Sequence, residues 1–264
     1  MSSYYSFIAG LPDLEFDPGS DAGLPSLYPG VLQDMLPAKE LEWVRVLWLR
    51  KYHLKVIAWL SGESNGEDLP PELPVESFHS SNEAFHTLPI YLRQLVCWKE
   101  NDRSNLPASR VAHRLQTLYF RELLSSENHF MQKWGEWELN RLNFLAAVRS
   151  EAQEKEKRHQ LIAGNGYFEL LQEFAITQKI IHTEFAAAAK LESLLSGSNL
   201  LEREKEMDRL SWEAIDEINR FEYFSVDVLL GYFQKVLILE RWKGIFSRKE
   251  TEGLGEMAGR LIHL

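Results

Sequence analysis

Apolar residues recur three and four apart along most of this chain, the spacing that lines one face of a helix. From Pro37, "PAKELEWVRVLWLRKYHLKVIAWL" places Leu41, Val44, Leu47, Trp48, Tyr52 and Val56 on one such line, and Pro37 suits a first helical turn. A helix is predicted from about Glu83 to Trp98, with Pro89 as a possible interruption. Others are predicted over Ala108–Leu124, Asn128–Arg149, Tyr167–Leu195, Leu200–Arg220 and Val226–Ser247. Gly164-Asn165-Gly166 and Gly197 mark stops, because glycine adopts helix-terminating backbone angles. Tyr4–Ala9 is too short to distinguish a strand from a first helical turn. No run of strict alternation demands a sheet, so the fold class expected is all-α, built of long antiparallel helices.

Between these segments lie two breaks. "GLPDLEFDPGSDAGLPSLYPG" concentrates Gly, Pro and Asp in a loop. Residues 61–81, "SGESNGEDLPPELPVESFHSS", read as a polar linker in which Pro70, Pro71 and Pro74 donate no helical hydrogen bond. A further break, "NDRSNLP" at Asn101–Pro107, divides an N-terminal helical region over 1–105, which contains that linker, from a C-terminal helical bundle over 106–264. "SEAQEKEKRHQ" near residue 155 reads as a charged face or a turn between helices.

Composition narrows the chemistry. With 39 acidic and 29 basic residues the net charge is −10, which disfavours nucleic acid, whose binding needs concentrated Lys and Arg. The single cysteine, Cys97, permits no intramolecular disulfide, and Leu95, Val96 and Trp98 around it suggest a buried thiol. The opening "MSSYYSFIAGLPDLEF" lacks the basic and apolar runs of a signal peptide, and no segment approaches the ~20 apolar residues of a membrane span. A soluble, cytoplasmic location is the expectation.

No P-loop and no Gly-x-Ser-x-Gly elbow is present; "AGNGYFE" and "LSGSN" fall short of both. Nucleotide binding, a cofactor and catalytic residues are therefore not expected. Glu83-x-x-His86 and Glu156-x-x-His159 have the spacing that di-metal helical bundles use, which makes a carboxylate-bridged di-metal enzyme an alternative. It ranks low, since His159 sits in "EKEKRHQ" without an apolar stripe and His86 lies just before Pro89. His53, on the aromatic-rich first long helix, reads as a core-edge histidine.

Two acids interrupt apolar lines. Glu138 lies four residues from both Trp134 and Leu142, and Glu240 continues the line through Leu230, Phe233 and Leu237. A carboxylate on such a face needs a cationic or backbone partner, unless it sits at a boundary and reaches water. Arg141 and Arg241 are near in sequence, and a residue of another helix would serve equally.

The residues around these acids resemble a known family, the rotor-capping subunit of V- and A-type ATPases (lettered C, or d in eukaryotes). "FSVDVLLGYFQKVLILERW", with Phe224, Tyr232, Glu240 and Arg241, is similar to the closing helix of that family. "WGEWELNRLNFLAAVR" is similar to its aromatic-Glu-x-Asn-x-x-Asn pattern, here Trp137, Glu138, Asn140 and Asn143. "YYSFIAGLPDL" and "LSWEAIDEINRFEYFSVDVLL" resemble more closely a bacterial family of uncharacterised proteins, encoded beside V-type ATP synthase genes and thought to fill the same capping role. The chain is shorter than ordinary members of the capping family, as if one of their three helical units were reduced. Arg241-Trp242 stands where an Arg-Asn ending is expected. The resemblance implies helical bundle units like those of the capping family and a non-catalytic central-stalk adaptor. Its partners would be the rotor shaft and the membrane ring, and it would lie at the inner face of the cell membrane without spanning it. A helical scaffold unrelated to ATPases is the further alternative.

Overall fold

The computed structural model describes residues 4–17, 32–102, 106–152, 161–172, 181–195 and 199–251, and among them there are helices and no strand. The all-α expectation holds. The helices are α1 (Tyr4–Ala9), α2 (Leu32–Met35), α3 (Ala38–Leu49), α4 (His53–Ser61), α5 (Ile90–Asn101), α6 (Ala108–Leu124), α7 (His129–Ala152), α8 (Tyr167–Gln172), α9 (Ala188–Leu195), α10 (Leu200–Ile218) and α11 (Val226–Thr251). None is long and apolar enough to cross a membrane.

Two compact units divide the chain elsewhere than at residue 105. One comprises Ala38–Ala188; the other combines Met1–Pro37 with Ala189–Leu264. The 105/106 junction falls inside the first of these, between α5 and α6, which pack against each other.

In the unit Ala38–Ala188, α6 is the central helix and contacts α4, α5 and α7. It starts directly after Pro107, and its buried Val111, Leu115, Leu118, Tyr119 and Leu123 follow the spacing of one face. Its neighbour α7 opens on Asn128, whose side-chain oxygen accepts the Met131 N–H at 2.8 Å and so caps the helix. Only a short turn separates α6 from α7, so the two run antiparallel. Gly135 lets them meet closely, since a Cβ there would sit 2.7 Å from Leu123.

The helix predicted from Pro37 to Leu60 is two helices. A 3-10 turn at Arg50–Tyr52 separates α3 from α4, with neither Gly nor Pro to announce it. The helix predicted from Glu83 is a 3-10 turn (Glu83–Thr87), and α5 begins only after Pro89. Residues 61–81 are more than a solvated linker: Leu73, Ser77 and Phe78 are buried. Gly66 adopts φ +85° and closes a turn against Trp59 and Val75 that a side chain would obstruct. The helix predicted across Tyr167–Leu195 does not run unbroken, since Phe185 is non-helical.

Cys97 is exposed rather than buried. Tyr91, Leu92, Leu95 and Val96 take the inward face of α5, and residue 97 lies about 100° further round. Its apolar sequence neighbours are a poor guide because adjacent helical residues point in different directions.

In the unit combining both ends of the chain, α10 and α11 form an antiparallel hairpin. Lys235 pairs with Asp216 at 2.5 Å, and further along Arg241 pairs with Asp208. α10 is capped by Asn199, whose side chain accepts from the Glu202 N–H at 3.2 Å. The segment 11–17 lies along this hairpin: Tyr232 donates to the Pro12 carbonyl at 3.0 Å, and Phe16 packs edge-on against Trp212.

Candidate interaction surface

The α7 residues that carry the resemblance are structural anchors. Glu138 is buried, its side chain 8% exposed, and it accepts from Arg141 on its own helix and from Arg50 at the α3–α4 turn, each at 3.0 Å. The 3-10 turn thus brings a cation from another element to the acid, the arrangement that a carboxylate on an apolar line requires. Burial alone would push the Glu138 carboxyl up. The charges and hydrogen bonds of Arg141 and Arg50 outweigh that and hold it below the usual carboxylate range. Arg50 also lies 5.1 Å from the Tyr119 ring centre and 5.6 Å from that of Phe120. Trp137 stacks on Trp134 at 5.4 Å and is covered on another side by the Arg141 guanidinium.

Asn143, fully buried, grips one residue of the following loop from both sides. Its amide donates to the Ile162 carbonyl, and its oxygen accepts the Ile162 N–H, both at 2.8 Å. Asn140 accepts from the Asn165 side chain at 2.8 Å. Within about two turns of α7, Glu138 therefore fastens the α3–α4 turn on one side while Asn140 and Asn143 fasten the loop before α8 on the other.

His53 is buried against Tyr91, with its Nε2 3.1 Å from the Tyr91 hydroxyl. Burial, reinforced by nearby Arg50, holds the imidazole well below its ordinary pKa. At the start of α5, Pro89 supplies no side-chain cap, and Glu122 of α6 accepts the Tyr91 N–H at 2.5 Å instead. Burial raises the Glu122 carboxyl to about 7; Glu42 adds to the rise while the Tyr91 N–H opposes it. Between its ordinary value of 4.5 and about 7, the folded chain holds a proton there that the unfolded chain releases. Stability from this group therefore increases as pH falls from about 7 towards 4.5, and its penalty is fully present above 7. Glu138 acts in the opposite sense, but only below the ordinary carboxylate range. In urea titrations from pH 8 to pH 5, the stability of wild type relative to Glu122→Gln should rise on acidification, while both proteins share a loss below about 6.5 as the unfolded chain protonates His53; parallel curves for the two proteins would contradict this.

The residues of the closing stretch are placed differently from their sequence expectation. Glu240 is exposed, and it is Arg241 that turns inward, pairing with Asp208 and with Glu204 at 3.5 Å. Trp242, buried, donates its indole N–H to Asp208 at 2.6 Å. Nine residues separate Phe233 from Trp242, which puts them on opposite sides of an ideal helix. The covered face of α11 thus changes side between them, and the line through Phe233 and Leu237 runs out into solvent before Glu240.

Of the metal-spaced residues, Glu83 and His86 are both exposed on a 3-10 turn. Glu156 and His159 lie outside the described residues. Among the described residues no group of three or more His, Cys, Asp or Glu is arranged to hold an ion.

What the anchors leave outside is the hairpin tip. Among the described residues six large hydrophobic side chains are exposed, and four of them gather here: Phe221 (81%), Tyr223 (70%), Phe224 (42%) and Tyr5 of α1 (61%). Tyr5 and Phe224 are in ring contact at 4.4 Å. The loop carrying them is tied down: Asn219 donates to the Asp227 carbonyl at 2.9 Å, and Ser225 donates to Glu222 at 2.8 Å. Scattered exposed aromatics are ordinary, but a group on a fixed loop is a contact surface in search of a partner. Phe224 is legible as part of the family pattern. Phe221 and Tyr223 lie outside the capping-family pattern, although "FEYF" falls within the stretch that resembles the bacterial family and is a usable signal. Other aromatic residues of the N-terminal third are engaged elsewhere: Trp48 is buried, and Phe16 packs on Trp212, while Tyr28 lies outside the described residues.

A family model described as a protein of unknown function (DUF2764) matches residues 1–263. No curated protein and no solved structure matches the chain.

Proposed function

The chain belongs to the DUF2764 family, and we propose that it is a non-catalytic adaptor in the central stalk of a V- or A-type rotary ATPase. In this reading it links the rotor shaft to the membrane ring and lies peripherally at the inner face of the membrane, held by protein partners. The observation that carries the proposal is the aromatic hairpin tip, because it opens the stretch Phe224–Trp242 whose sequence resembles the rotor-capping family. The cross-fastening of α7 by Glu138, Asn140 and Asn143 also favours it: a part that transmits torque gains from helices locked to their neighbours, and these residues belong to the second resembling stretch.

An affinity-tagged copy expressed at native level in an organism that carries the gene tests this. Mild detergent extraction should co-purify the ATPase shaft and ring proteins along with the tagged chain. Recovery of the tagged chain without any ATPase component would refute the adaptor role.

A further inference from the structure

We infer that the tip of the α10–α11 hairpin docks a cationic amphipathic helix of a protein partner. The apolar part of the surface is Phe221, Tyr223 and Phe224 with Tyr5 beside them, all on elements of one unit. The charged part is acidic. Glu213, Asp216, Glu217 and Glu222 belong to the hairpin, and Asp13 and Glu15 to the segment that Tyr232 holds along α11. Arg220 pairs with Glu217, Lys235 with Asp216, and Lys190 lies 3.9 Å from Glu213. Six carboxylates less these three cations leave a net charge of −3.

That combination selects among occupants. A phosphate-bearing surface, whether nucleic acid or anionic lipid, is repelled by an uncompensated negative field. A second copy would bring the same acids against each other. A helix with an apolar stripe and flanking Lys or Arg satisfies both parts, its stripe covering the rings and its cations meeting the carboxylates. The loop is already fixed by Asn219 and Ser225, so docking need not order it. This deepens the adaptor reading, and rests on it only for which protein supplies the helix.

The test uses the full chain and two synthetic helical peptides of identical leucine spacing, one with lysine and one with glutamate at the polar positions. Titration calorimetry should show binding of the lysine peptide alone, weakening with salt. Phe221→Ser/Tyr223→Ser should reduce that affinity about tenfold or more, as expected for central aromatic contacts. Glu213→Gln/Glu217→Gln should flatten the salt dependence. Both pairs of substitutions alter exposed side chains, and unchanged helical circular dichroism verifies the fold. No binding of the lysine peptide, equal binding of both peptides, or indifference to both variants would overturn the inference. So would a wild-type dimer in sedimentation, or capture by anionic vesicles, that the serine variant abolishes. Peptide binding without ATPase co-purification would sink the adaptor reading and leave the surface; co-purification without binding of the lysine peptide would do the reverse.

Discussion

Glu138→Ala should lower the unfolding free energy by about 3–5 kcal/mol, because removing one member of a buried ionic group strands the others. The others are two guanidiniums, Arg50 and Arg141, whose side chains are 29% and 21% exposed and both of which donate to this one carboxylate. Arg50 has the further consequence of location. It sits at the 3-10 turn between α3 and α4, so losing its anchor loosens the joint as well as the pair. Glu240→Ala, on an exposed side chain, should stay within about ±0.5 kcal/mol. Urea unfolding of the two variants side by side checks the contrast, and equal midpoints would show that Glu138 is solvated.

A second large loss is expected at Asn143. Alanine there leaves both the N–H and the carbonyl of buried Ile162 without the partners they now have at 2.8 Å. Each unsatisfied buried group costs roughly 1–3 kcal/mol, so a loss of about 2–6 kcal/mol follows. Asn143→Asp separates the two bonds. Its carboxylate still accepts the Ile162 N–H but faces the Ile162 carbonyl with a negative charge, which raises its pKa and makes the variant recover stability as pH falls. Protease cleavage within residues 161–165 should increase in both variants. An Asn143→Ala protein as stable as wild type would mean that the loop is held by other means.

The helical segments are legible because burial on one face imposes a spacing of three and four, and Ala108–Leu124 emerges with the expected bounds. Glu138 is legible for the same reason: a charge on an apolar line announces an unseen partner, and Arg141 is close in sequence. Arg50 is not, because the turn that delivers it carries no Gly or Pro. Glu240 shows where periodicity overreaches. Spacing identifies a face but not how far along it a neighbour extends, and the cover on α11 passes to Trp242 on the other side. Asn140 and Asn143 can be picked out only through the family resemblance, since their partners are loop backbone and a loop asparagine that no spacing reveals. The hairpin tip is half legible: Phe224 falls in the capping-family pattern and "FEYF" stands out between two helical segments, but nothing in the spacing brings Tyr5 beside them.

In the proposed role this chain couples rotor to ring. Inverted membrane vesicles from a deletion strain, assayed in parallel for ATP hydrolysis and ATP-driven ion transport, test it most directly. The adaptor account predicts hydrolysis retained by assembled catalytic heads while transport collapses, and transport restored by the reintroduced gene. Undiminished transport per ATP hydrolysed in vesicles lacking the protein would contradict it.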